Sequence, residues 1–177
     1  MNLLRAGLIS AVMLLGLAIW QGALQQTRAL EPLPAPTGSV ILTVGGKIAI
    51  HNTANNEAAF DLAMLEALPR SSFKTTTIWT DGVQEFVGVS VTDLLSRLGS
   101  DATQINAIAT NDYEIRFPVS DASEHGGIVA YRANGKPLPP GNKGPLWIIF
   151  PFDSDPLLQS ERFQGESIWN LATMTLH

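Results

Sequence analysis

Short apolar runs separated by turn residues set the pattern of this chain. The most informative run is Gly144-Pro145-Leu146-Trp147-Ile148-Ile149-Phe150-Pro151-Phe152-Asp153. Its aromatic and β-branched centre lies between Gly141, Asn142 and Gly144 on one side and Pro151, Asp153 and Pro156 on the other, which predicts a buried strand. Proline at each end stops the ladder because it has no N–H to donate. A strand that ends in Pro-Phe-Asp carries polar groups to a rim, and the ligand is expected there.

The rest of the pattern frames that strand. Residues 40–44 predict a strand, Gly45-Gly46 a hairpin turn, and residues 47–50 the returning strand. Phe60, Met64, Leu65 and Leu68 form a helical stripe with Asp61 as its N-cap and Pro69 beyond its end. Residues 73–79 read as a Thr-rich strand, Thr80-Asp81-Gly82 as a loop, and Glu85-Phe86-Val87 as a short strand. Ser90-Val91-Thr92-Asp93 has capping-box spacing and opens a helix carrying Leu94, Leu95 and Leu98, which Gly99 ends. Strands follow at 105–109, 113–117 and 128–132, with a short helical turn at Ser120-Asp121 and a tight turn at Asn134-Gly135. Residues 153–165 read as a long loop and 168–176 as the closing strand. Many short strands with a few short helices give a β-rich α+β domain.

Composition narrows the chemistry. The net charge of −5 and the lack of a basic run argue against nucleic acid as a partner. The chain has no Cys, which removes disulfides, thiolate nucleophiles and thiolate metal ligands together. His51, His125 and His177 are scattered, so no protein metal site is expected.

The N-terminus reads as a targeting segment. Arg5 precedes an apolar run of about fifteen residues, 6–20, which is short for a membrane span and suits a signal sequence. Cleavage after Ala23 or Ala29 is one outcome and an uncleaved anchor is the other; both place the domain outside the cytoplasm, in the periplasm. The expected organisation is a leader or anchor over 1–29, an extended and solvated Pro-rich linker over 30–38 (Pro32, Pro34, Pro36), and one domain over 39–177.

Several motifs then occur in a telling order. The Thr-rich strand is followed by Phe86-Val87-Gly88-Val89, Asp93-Leu94-Leu95, Asn111-Asp112-Tyr113, Gly135-Lys136-Pro137-Leu138, Gly144-Pro145-Leu146-Trp147, Phe150-Pro151-Phe152-Asp153 and Ile168-Trp169. The order resembles the molybdopterin-binding domain of the sulfite oxidase type, across residues 39–177. It is similar in particular to the small periplasmic members, some of which are non-enzymatic pterin-binding regulators of a membrane signalling partner. The resemblance implies a β-rich fold of mixed sheets and a pterin ligand. It also implies a partner, a sensor kinase or cyclic-dinucleotide enzyme with a periplasmic domain.

Departures from the family's enzymes shape the functional expectation. Those enzymes hold molybdenum through a Cys at the end of the Thr-rich strand, where this chain has Thr77-Ile78-Trp79-Thr80. A hard hydroxyl does not replace a soft thiolate without changing the metal chemistry. The positions of their phosphate-binding Arg and Lys read Trp147 and Gly165-Glu166-Ser167. A pterin without molybdenum or phosphate is therefore the expected ligand, and molybdopterin the less favoured one.

A pterin needs a stacking surface and a few fixed polar groups. Trp79, Trp147 and Trp169 are the candidate stacking residues, Trp169 first, and each also suits a packed core. Asp153 and Asp81 are candidate acceptors for the guanidine-like edge of the ring, and both also suit turn capping. Thr77 and Thr80 stand at the family's metal-ligand place. Tyr113 and Arg162 are further candidates, with a half-buried strand position and a solvated surface charge as their alternatives. No catalytic residue is expected. The functional readings are a periplasmic pterin-binding protein that senses or presents its ligand, an oxidoreductase holding molybdopterin without Cys, and an interaction module with a vestigial pocket.

Overall fold

The computed structural model describes residues 31–177; the expected leader lies outside the described residues. The elements in order are β1 (Leu42–Gly46), β2 (Ala58–Phe60), α1 (Leu62–Glu66), β3 (Arg70–Thr77), β4 (Thr80–Ser90), α2 (Val91–Arg97) and β5 (Gln104–Ala109). There follow β6 (Glu114–Pro118), α3 (Val119–Glu124), β7 (Ile128–Ala133), β8 (Lys136–Pro137), β9 (Trp147–Ile149), α4 (Glu161–Glu166) and β10 (Leu171–Leu176).

The strands form two sheets. One runs β2-β1-β10-β5-β6 and is mixed, with β1 and β10 parallel and the other pairs antiparallel. The other runs β3-β4-β7, and the short β8 and β9 share the far edge of β7. The β-rich α+β fold with mixed sheets and short helices is thus the one the sequence led us to expect.

Local chemistry explains the helices that were legible. Ser90 accepts from the Asp93 N–H at 2.9 Å and donates its hydroxyl to Asp93 Oδ2 at 2.6 Å, so Asp93 closes on the capping hydroxyl and not on the Ser90 backbone N–H of a full capping box. Leu94 and Leu95 then face the core. Asp61 caps α1 through the Met64 N–H at 2.9 Å.

Four expectations are corrected. First, Gly45-Gly46 is not a hairpin turn. Both glycines continue β1 beside Thr175 and Leu176 of β10, and a Cβ on Gly46 would stand 2.2 Å from the Leu176 carbonyl oxygen. Glycine is required there by a close backbone approach, not by a turn. The stretch expected to return as a strand instead sends the N–H groups of Ala49 and Ile50 to the carbonyl of Leu98.

Second, the β3–β4 turn falls at Ile78-Trp79, and Thr80-Asp81-Gly82 opens β4. Thr77 pairs with Thr80 and Thr75 with Gln84, so Asp81, Gly82 and Val83 stand opposite Thr76 alone. Gly82, with φ of 62°, is absorbed in this bulge.

Third, the expected loop over 153–165 is largely helical. It holds two 3-10 turns, Phe152–Ser154 and Pro156–Gln159, and then α4, whose Phe163 and Glu166 are buried three residues apart.

Fourth, the Pro-rich segment is solvated along most of its length, as expected, but it is docked on the domain rather than free. Leu33 is buried, Asn52 donates to the Pro34 carbonyl at 2.7 Å, Arg97 donates to the Pro32 carbonyl at 3.0 Å, and Asp61 accepts from the N–H groups of Thr37 and Gly38 at 2.8 Å each. The segment is a strap against α1 and α2.

Candidate functional site

The site begins with β3 and its bulge. Because three residues of β4 face Thr76 alone, Thr76 leaves the ladder. Its N–H and hydroxyl both turn to Asp153, at 2.6 Å each. The Asp153 N–H in turn donates to Thr75 Oγ1 at 3.0 Å. Thr76's two donors hold the Asp153 carboxyl below the usual carboxylate range, the hydroxyl contributing most and the N–H next. This clasp fixes the hairpin tip to the turn after β9. The tip itself is closed by the Thr77 and Thr80 hydroxyls, 2.7 Å apart, and by the Trp79 N–H on Thr77 Oγ1 at 3.1 Å.

The clasp aims the indole of Trp79 into a cluster of aromatic rings. It stands edge-on to Trp169, Trp147 and Phe152, with centroids 5.5, 5.8 and 5.9 Å away. A cavity of about 280 Å³ lies on one side of it, between the β3–β4 tip, the β5–β6 turn and the chain from α4 to β10. Trp79, Trp169, Asn111, Tyr113, Gln164 and Ser167 line it, with Ala109, Gly165 and Ile168. A second cavity, of about 230 Å³, shares Trp79 and Gln164 with the first and is completed by Thr76, Thr77, Ile78, Phe152 and Gln159. The two sheets therefore meet at this seam, and each contributes a wall.

The structure sorts the candidate residues. Trp79, Trp169 and Tyr113 come together on the first cavity, and Thr77 with Trp79 on the second. Five others stand elsewhere. Trp147 is core: it is 1% exposed, lies between Phe86 and Trp79, and donates Nε1–H to the Ser167 carbonyl at 3.2 Å. Asp153 is exposed and spent on Thr76. Asp81 is exposed in the bulge and lines neither cavity. Thr80 is taken by Thr77. Arg162 pairs with Asp121 and Glu166, away from both cavities.

Asn111, Gln159 and Gln164 are the polar lining that the sequence reading passed over. Asn111 sits in the Asn-Asp-Tyr motif, which was a usable signal. Gln159 and Gln164 carried none, because they belong to short helical turns in a segment read as loop.

The lining sets what can bind. Two indoles and a phenol give flat apolar faces, while the amides and hydroxyls give neutral donors and acceptors. Among the described residues, no Lys, Arg, His, Asp or Glu lines either cavity. Glu166 lies 4% exposed behind the wall, so it does not confront a ligand as a like charge. What opposes a phosphate here is the lack of a lining cation. The donor set does not suit molybdenum either: the Thr77 and Thr80 hydroxyls bond each other across the β3–β4 turn, and the sequence has no thiolate to offer.

Fold and cavity together define a molybdopterin-binding-type domain. The model of the oxidoreductase molybdopterin binding domain matches residues 46–152, and the chain belongs to that family. A pterin-type cofactor is the ligand class that the family's domain defines. Twenty-three chains of solved structures match. One is the sulfane dehydrogenase SoxCD from Paracoccus pantotrophus, similar with a TM-score of 0.57 at 15% identity. The match covers 77% of this chain and 37% of that one, so it speaks for the fold. No curated protein sequence matches the chain.

Proposed function

We propose that this protein binds a pterin carrying neither molybdenum nor phosphate, and that it senses or presents that pterin without catalysis of its own. The observation that supports the reading best is the first cavity, where Trp79 and Trp169 offer ring faces and Asn111, Gln164 and Ser167 offer neutral polar groups. A pterin ring is flat, neutral and edged with donors and acceptors. At about 280 Å³ the cavity stands near the lower end of ligand sites, which suits a small bicycle. A phosphate dianion desolvated beside this lining without a cation would cost several kcal/mol.

The competing reading, an oxidoreductase that holds molybdopterin without Cys, draws on the family alone. One experiment separates the two. Native protein from a cofactor-competent host is denatured, and the released small molecule and metal are identified. The expected result is a fluorescent pterin without phosphate and no stoichiometric molybdenum. Molybdenum near one per chain, or tighter calorimetric binding of a phosphorylated pterin, would overturn the reading.

The setting belongs to the same proposal. The apolar run behind Arg5 supports export to the periplasm, where the listener would be a membrane sensor kinase or cyclic-dinucleotide enzyme with a periplasmic domain. Cell fractionation and crosslinking on intact cells test this. Full-length chain recovered from the cytosol with its leader intact would sink it.

A further inference from the structure

Behind the cavity wall lie two buried carboxyl groups, held by one exposed arginine, that the binding site does not use. Asp121 of α3 and Glu166 of α4 are 6% and 4% exposed, and one cation, Arg162, bridges them. Arg162 bonds Asp121 Oδ2 and, at 3.3 Å, Glu166 Oε1. The two carboxyl groups thus share one guanidinium. Glu166 Oε2 is buried and meets no donor among the described residues. A carboxylate oxygen buried without a donor is costly, whereas a carboxyl oxygen carrying its own proton can donate to its neighbour.

With one proton on the pair, Arg162 balances one carboxylate and the cluster is neutral. Without it, two buried anions share, among the described residues, one cation that is itself half in solvent. Of the other ionisable groups on these elements, Glu124 of α3 and Glu161 of α4 are exposed to solvent. His125, at the C-terminal end of α3, packs edge-on against Phe163 of α4 with centroids 5.0 Å apart. On β6, which packs on α4, Glu114 bonds Asn106 and Arg116 meets His177.

The cluster holds the element that makes the cavity wall. Gln164 and Gly165 of α4, and Ser167, Ile168 and Trp169 just after it, line the first cavity on either side of Glu166 in the chain. The Ser167 hydroxyl donates to the Phe163 carbonyl at 2.9 Å and the Ile168 N–H to the Glu166 carbonyl at 3.0 Å, so this segment follows α4 as one piece.

We infer that Asp121, Arg162 and Glu166 form a proton-operated latch that seats α4 on α3 when one proton is shared and loosens the cavity wall when that proton leaves. The inference rests on that cavity being the binding site. Burial, and then the neighbouring Asp121 carboxyl, push the Glu166 carboxyl up to about 8. An acid whose folded value is raised binds its proton more tightly folded than unfolded. Its contribution is therefore complete below the ordinary carboxylate value of 4.5 and is lost as pH rises through about 8.

The test needs no ligand, so its failure and that of the pterin reading are distinguishable. Indole emission and melting temperature of the purified full chain are followed from pH 6 to 9. The expected result is a cooperative change in emission with a midpoint near 8, with the melting temperature falling by roughly 5 °C across it. Glu166→Gln, which keeps the shape without the titration, abolishes the transition. Asp121→Asn removes the competing anion, frees Arg162 for Glu166, and moves the midpoint to lower pH. Flat emission in the parent chain overturns the latch. So does a transition that survives Glu166→Gln, or one that vanishes in His125→Gln.

Discussion

Trp79, Trp147 and Trp169 stand with ring centroids 5.5–6.0 Å apart, yet their truncation has different consequences. Trp147 is enclosed between the sheets and its N–H is satisfied by Ser167. Trp147→Ala leaves a cavity and removes a large buried ring, costing about 3–5 kcal/mol, a large share of the stability of a small domain. Trp169 is half-buried and opens one face to the cavity. Under the proposed function, Trp169→Ala takes away a stacking face worth on the order of 1 kcal/mol beyond its area, and the lost area adds to that. Pterin affinity then falls about tenfold to a hundredfold with the melting temperature little changed. Melting and affinity measured on one sample of each variant decide the roles. A collapsed melt for Trp169→Ala, or unaltered affinity in a folded variant, reassigns that ring to the core or to a bystander.

At the scale of elements, the β3–β4 hairpin shows how the site is held from a distance. Asp153 lies 77 residues from Thr76 in the chain, and its carboxylate completes the bulge by taking the two donors that the ladder leaves free. Asp153→Ala should free the tip, raise amide exchange at residues 76–79, and weaken ligand binding although Asp153 touches no cavity. If exchange there stays slow, the clasp is ornamental. The clasp is also acid-sensitive in a stated direction: a lowered carboxyl contributes stability above its ordinary value of 3.8 and loses it as pH falls through the lowered one. The same hairpin marks the limit of what the sequence disclosed. Its Thr-rich strand was legible because β-branched residues favour the pleated sheet. The bulge was not, because Asp81-Gly82 suits a turn equally well and only the remote Asp153 makes the bulge tenable. Likewise Gly45-Gly46 looks like a turn until β10, from the far end of the chain, lies parallel against it. Indole candidates were legible by type, while their division into core and cavity depended on which sheet seam each faced.

The molecule as a whole carries its N-terminal segment as part of the fold. A composition of alternating prolines suggests a free spacer, because each proline removes a donor and stiffens the chain. Here the carbonyls that remain are used: Arg97 and Asn52 hold those of Pro32 and Pro34, and Leu33 fills an apolar place beside α1 and α2. Asp61 is the residue on which the strap and α1 converge. Its Oδ1 caps α1 through Met64, and its Oδ2 takes the N–H groups of Thr37 and Gly38. The Met64 and Gly38 donors are the main reason its carboxyl is held below the usual range. Asp61→Ala strands all three donors at once, so the loss should exceed that of a simple helix cap. The expected outcome is a lower melting temperature together with rapid proteolysis within residues 31–38, while pterin binding by the folded fraction persists because the strap lies on α1 and α2. Asp61→Asn, which still accepts through one oxygen, should fall between the two. Equal protease resistance in the parent and Asp61→Ala would show that Leu33 and the two carbonyl contacts hold the strap without Asp61.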